Sequence, residues 1–160
     1  MTLPPYQYNG ARSMVILHEQ ELRLFVAIWK EAKESFETGG TPVLPDNGNP
    51  TYNSYNDLLE HVLRCALSYM KWICEKLELP APPIPPLPTT EEFGARADEY
   101  LEGVLAAWRD PLKDVPEERF DQVHKSRWGV DYCIDSMLEH AVMHPIRHSF
   151  QLENWMQTKV

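Results

Sequence analysis

The chain has 160 residues, enough for one domain with a real core, and its 43% hydrophobic and 11% aromatic content is that of a globular protein. Lys and Arg number 15 against 24 Asp and Glu, a formal charge of −9, which argues against a nucleic-acid backbone or an anionic membrane as partner. No apolar run approaches the roughly 20 residues that span a bilayer, and the start MTLPPYQYNGARS lacks the basic and apolar regions of a secretory signal.

Three cysteines, Cys65, Cys74 and Cys133, are scattered and form no CxxC pair, so neither a zinc knuckle nor a disulfide framework is indicated. A reducing cytoplasm is the simplest location. No internal repeat of fixed period is present.

Four segments carry helical periodicity, and none shows convincing strand alternation. The first runs from about Ala11 to Phe36, with His18, Leu22, Phe25, Trp29 and Ala32 on one stripe, and stops at Thr38-Gly39-Gly40. Residues 41–53, rich in Pro, Asn and Gly, read as irregular. The second helix runs from about Ser54 or Asn56 to Leu79, with Leu59, Val62, Leu63, Ala66, Met70, Ile73 and Leu77 as its apolar face.

Six prolines then fall between residues 80 and 88. Such a run cannot be helical and favours polyproline II. At about 3.1 Å per residue, ten residues cover on the order of 30 Å, the length of a helix of about 20 residues. The segment can therefore cross the whole domain and make helices two and three parallel.

Helix three opens on a capping box, Thr89 with Glu92, buries Phe93, Ala97, Tyr100, Leu101, Val104 and Trp108, and ends at Asp110-Pro111. Residues 111–130 form a charged connection. Helix four runs from about Asp131 to Met156 on Ile134, Met137, Leu138, Ala141, Leu152 and Trp155. The expected fold is all-α: one domain over 1–160, a four-helix bundle with a long crossover between helices two and three.

Helix four carries the chemistry. His140, His144 and His148 follow at four-residue steps, the last two in the middle of the apolar stripe and His140 at its edge. Two core imidazoles about 6 Å apart are a burden, since each unsatisfied polar group costs roughly 1–3 kcal/mol. A metal removes it, because neutral imidazoles at i and i+4 can coordinate one ion. A third ligand must come from another helix. His61, at a boundary position near Leu58 and Cys65, leads; His18 shares the first helix's inner stripe, and His124 sits in a charged loop that reads as solvated. Pro145 removes the hydrogen bond to the carbonyl of Ala141. It either re-aims His144 against His148 or merely bends a long helix around the core.

With these residues placed, the chain resembles the DinB/YfiT superfamily of metal-dependent enzymes. RSMVILHEQELRLFVAIW looks like that family's first helix, YNDLLEHVLRCALSYMKWI like its second, and WGVDYCIDSMLEHAVMHPIRHSFQLENW like its fourth. The family carries one histidine on helix two and an HxxxH pair on helix four. The resemblance thus implies His61, His144 and His148 as ligands of a divalent ion, zinc or nickel, with His140 matching a frequent extra histidine one turn earlier. Where relatives read HHRGQ, this chain has RHSFQ from Arg147 to Gln151, so Ser149-Phe150 replace Arg-Gly.

Relatives of this kind serve as thiol-dependent transferases and isomerases in which the metal activates a low-molecular-weight thiol. The functional expectation is a metal-dependent enzyme in which that ion activates a thiol or water. Its partners would be a small-molecule substrate and a second copy of the chain in a homodimer. His140, His18, Arg147 and Gln151 would stand around the metal or touch substrate, and Cys65 would be a fourth ligand or a small core residue. The competing expectation is a non-catalytic, metal-stabilised bundle with a stress or binding role, set apart by a closed four-coordinate site. A third, an adaptor that uses residues 80–88, needs that run exposed and mobile.

Overall fold

The structure, a computed structural model, describes residues 3–38 and 54–157. These are mostly helical: α1 (Asn9–Thr38), α2 (Tyr55–Lys76), a short α3 (Thr90–Phe93), α4 (Ala97–Arg109) and α5 (Ile134–Gln157), with one small antiparallel pair, β1 (Val123–Lys125) and β2 (Asp131–Cys133). The Gly39-Gly40 stop and the irregular stretch expected at 41–53 lie outside the described residues. No described helix is long and apolar enough to cross a membrane.

The helices pack through the stripes their periodicity predicts. Leu22, Phe25, Trp29 and Ala32 of α1 are buried, as are Leu59, Val62, Leu63, Ala66, Met70 and Ile73 of α2. α1 lies mainly along α5, and α2 packs on both α4 and α5. Two buried indoles tie these layers with polar contacts. Trp29 Nε1 donates to the carbonyl of Tyr55 at 2.7 Å, and Trp108 Nε1 to that of Ala66 at 3.0 Å. Each lets a large apolar body sink into the core without orphaning its N–H.

Both expected helix starts are capped. Ser54 and Asp57 exchange the two hydrogen bonds of a capping box at α2, and Thr89 and Glu92 do the same at α3. The third predicted helix, however, divides. After Phe93 the backbone loosens over residues 94–96, with Arg96 at φ −105°, ψ 16°, before α4 resumes. Gly94 sits at this break because a Cβ there would come 2.8 Å from Asn56 Oδ1 and 3.3 Å from the Trp29 ring.

The charged connection at 111–130 holds regular elements, although no strand alternation marks them in the sequence. It contains a 3₁₀ turn at Glu117–Arg119 and the first strand of a hairpin in which His124 pairs with Tyr132. Three-residue strands are too short to show alternation, and the turn carries the fold instead. Gly129 N–H donates to the Ser126 carbonyl, Ser126 and Val130 pair across the turn, and Gly129 takes φ +85°, a left-handed conformation that suits glycine. The hairpin claims Asp131–Cys133, so α5 starts at Ile134 rather than Asp131. It is anchored to α2 by Trp72 Nε1, which donates to the Lys125 carbonyl, and by Arg127, which donates to Ser68 Oγ.

The proline run has no regular structure and is not a free tether. Pro82 and Pro88 are buried, and Pro85 packs so closely on α4 that a Cβ on Gly103 would come within 2.6 Å of it. These contacts anchor the run at Pro82, Pro85 and Pro88, while Pro83, Ile84, Pro86 and Leu87 remain exposed.

α2 ends three residues before the expected Leu79. The Leu79 N–H reaches back to the Cys74 carbonyl at 2.8 Å, and Glu78 sits between them at φ +54°. This is the left-handed cap position that glycine usually fills, so the sequence carried no stop signal there. A non-glycine residue in that region costs about 1–2 kcal/mol, partly offset by glycine's greater freedom when unfolded. Glu78→Gly is therefore expected to raise stability by about 0.5–1 kcal/mol in chemical denaturation; a loss of stability would show that the cap is unstrained.

Candidate metal centre

α2 and α5 bring three imidazoles together. The rings of His144 and His148, one turn apart on α5, have centroids 4.8 Å apart, and His61 of α2 lies 5.1 Å from the first and 5.3 Å from the second. α5 runs unbroken through Pro145, which is buried. Because proline has no N–H, the Ala141 carbonyl, about one turn before His144 and two before His148, loses its usual partner.

The electrostatics keep the three rings uncharged. Burial pushes all three below the ordinary histidine value, His144 furthest, and for His144 the neighbouring histidines and Arg147 add to the effect. Neutral imidazole is the form that offers a lone pair to a metal. His144 Nδ1 is buried and has no hydrogen-bond partner. The His148 Nδ1 lies 3.0 Å from Gln151 Oε1; an amide oxygen accepts, so Nδ1 carries the proton and Nε2 is left as the donor atom.

Cys65, one turn after His61, completes the set. Its Sγ stands 3.8 Å from His61 Nδ1, and donor atoms of His61, Cys65 and His144 all lie within 4.8 Å of one another. Burial raises the thiol's pKa, and a hydrogen bond with Tyr69 only partly opposes this, so the sulfur is protonated at neutral pH until a cation displaces the proton. The donor atoms that meet are thus those of His61, Cys65 and His144, while His148 joins them by ring position, its centroid 4.8 Å from that of His144 and 5.3 Å from that of His61. An orphaned nitrogen, a fixed tautomer and a nearby thiol all fit a soft or borderline divalent ion.

The remaining residues singled out in the sequence disperse. His140 stands outside the trio, its Nδ1 3.3 Å from the Tyr132 hydroxyl and its ring stacked on Trp128 at 5.5 Å. Arg147 is exposed, Ser149 is buried with its hydroxyl unpartnered, and Phe150 is 63% exposed. His124, expected in solvent, is half-buried with its ring edge-on to Trp72 at 6.2 Å. His18 is fully buried on α1 against Trp108, with ring centroids 3.8 Å apart.

Three aromatics near the site were not anticipated. Tyr69 meets His140 and His144 edge-on at 5.2 and 5.6 Å, while Trp128 and Tyr132 reach His140 from the hairpin. Tyr69 follows Cys65 by four residues, a spacing that could have placed it on the same face. Trp128 carried no such signal, because its position depends on a turn. Comparison with protein-family models, with curated proteins and with solved structures finds no match.

Burial holds His18 at about 3, against 6.5 in an unfolded chain. On acidification the unfolded chain binds the proton first. The stability His18 allows is thus whole above pH 6.5 and drains as pH falls towards about 3. Stability of the wild type should fall more steeply with acid than that of His18→Leu, by about 1.4 kcal/mol per pH unit within that window. Parallel slopes in urea titrations would contradict this.

Proposed function

We propose that this chain is a four-helix bundle of the DinB/YfiT kind and a metal-dependent enzyme that transfers or isomerises a small substrate with the help of a low-molecular-weight thiol. The observation that carries the reading is the His61–His144–His148 cluster, three uncharged imidazoles from two helices with ring centroids within 5.3 Å. Three protein ligands leave coordination positions open, the arrangement of a catalytic rather than a structural site. A divalent ion held there, zinc or nickel, would lower the pKa of a bound thiol or water and so present a nucleophile at neutral pH.

The chain's own groups divide the other tasks. Gln151 fixes the tautomer of His148. Tyr69 and the hairpin's Trp128 and Tyr132 form an aromatic wall beside the site, which favours an apolar electrophile and limits water on that side. The Tyr132 hydroxyl and His140 Nδ1, 3.3 Å apart, can hold or pass a proton at the edge of the cluster. With Ser149-Phe150 in place of Arg-Gly, an exposed cation near His144 and His148 is Arg147. Capture of an acidic thiol would fall to it.

A second reading has one observation in its favour. The donor atom of Cys65 lies within 4.8 Å of those of His61 and His144; with His148 added, the ion would have four protein ligands and serve stability alone.

Cobalt substitution separates the two. In the enzyme reading, adding the correct thiol from a panel that includes glutathione, bacillithiol and mycothiol produces a sulfur-to-metal charge-transfer band that His144→Ala abolishes. In the closed reading the band is present without any thiol, disappears in Cys65→Ser, and no added thiol changes it. The second outcome would set the enzyme aside.

A further inference from the structure

Among the described residues, His18 is a buried polar group that the metal centre does not use. It is fully buried at mid-α1, and neither ring nitrogen has a hydrogen-bond partner. Two unsatisfied nitrogens in a core are expensive, roughly 1–3 kcal/mol each, and leucine would fill that position on the α1 stripe more cheaply. The ring borders a cavity of about 330 Å³ between α1 and α4, at the low end of the size range of small-molecule sites. His61, Cys65, His144 and His148 do not line it.

The walls define what fits. Leu3, Val15 and Leu105 supply apolar surface, and Trp108 packs tilted against His18 with 35° between the ring planes. The rim carries Glu19, Arg23, Glu102 and Arg109, two charges of each sign. Arg23 is already bridged to Glu19 on its own helix and to Glu102 on α4, so it braces the two helices across the mouth. A net-neutral rim over an apolar cavity offers no reward to an ion. Neutral imidazole has one N–H and one lone pair, so it can answer a single donor or acceptor on a ligand.

We propose that the cavity between α1 and α4 is a second, separate ligand site, which takes a neutral planar aromatic molecule bearing one hydrogen-bonding group, with His18, whose covered ring must turn towards the cavity to do so, as its polar anchor and Trp108 as an aromatic wall. The metal centre and this cavity then serve different molecules. Occupancy would satisfy one orphaned histidine nitrogen and bury apolar surface at the same time.

Phenol and indole are suitable probes, with toluene as the apolar control and benzoate as the charged one. Titrations of the full chain would follow the His18 ring signals by NMR with labelled histidine. Phenol or indole should give saturable shifts at His18, toluene should bind more weakly, and benzoate should bind least. Metal loading should leave these affinities unchanged. His18→Leu should weaken phenol at least tenfold while toluene binds as before or better. Should that variant fold poorly, Ala106→Trp at the exposed rim fills the mouth and should abolish binding of all four probes. The proposal is overturned if no probe gives saturable shifts at His18, if His18→Leu binds phenol as well as wild type, or if Ala106→Trp leaves binding intact.

Discussion

Three imidazoles stand within about 5 Å of one another in surroundings too apolar to let them charge. That juxtaposition is the constraint around which the rest of the molecule is arranged. Protonating any one of them would place a cation beside two others inside the protein, so the cluster persists only as neutral lone-pair donors. The packing of α2 on α5 sets the separation, and each helix contributes from a turn it repeats: His61 and Cys65 on one side, His144 and His148 on the other. Rigid helices are good supports for such a set, because a shift of one turn would carry every donor away together.

Around this pair of helices the remaining elements act as braces. Trp108 fixes α4 to α2 through the carbonyl of Ala66, next to Cys65, and Trp29 fixes α1 to the start of α2. Arg127 and Trp72 pin the hairpin to α2, which carries Trp128 and Tyr132 to His140. The proline run closes over α4 at Gly103. A reading in which these parts serve a catalytic ion gives each a task, whereas an adaptor role leaves the histidines unexplained.

Much of this was legible in the residues, for identifiable reasons. Long amphipathic stripes of period 3.6 announce their helices, and the Thr89 start was marked by its capping box, whereas the start of α2 was placed only between Ser54 and Asn56. The four-residue spacing put His144 and His148 a turn apart on an inward face, which needs no knowledge of tertiary contacts. What escaped was whatever depends on the third dimension or on very short segments. The break at Gly94 reflects a close approach of Asn56 and Trp29, and the α2 terminus rests on a glutamate in a glycine position. The hairpin has three-residue strands, so Trp128 and Tyr132 gave no sign that they would meet His140. His18 shared a stripe with core residues, and only its burial against Trp108 shows that it packs towards α4 and the cavity there, away from His61, His144 and His148.

The central claim is that His61, His144 and His148 hold one divalent ion. Calorimetric titration of chelator-stripped protein with zinc, with the bound metal counted by elemental analysis, tests it most directly. The account predicts one ion per chain in the wild type, none retained after His61→Ala, His144→Ala or His148→Ala, and weaker but stoichiometric binding in His140→Ala. Full retention in His61→Ala together with complete loss in His140→Ala would contradict it.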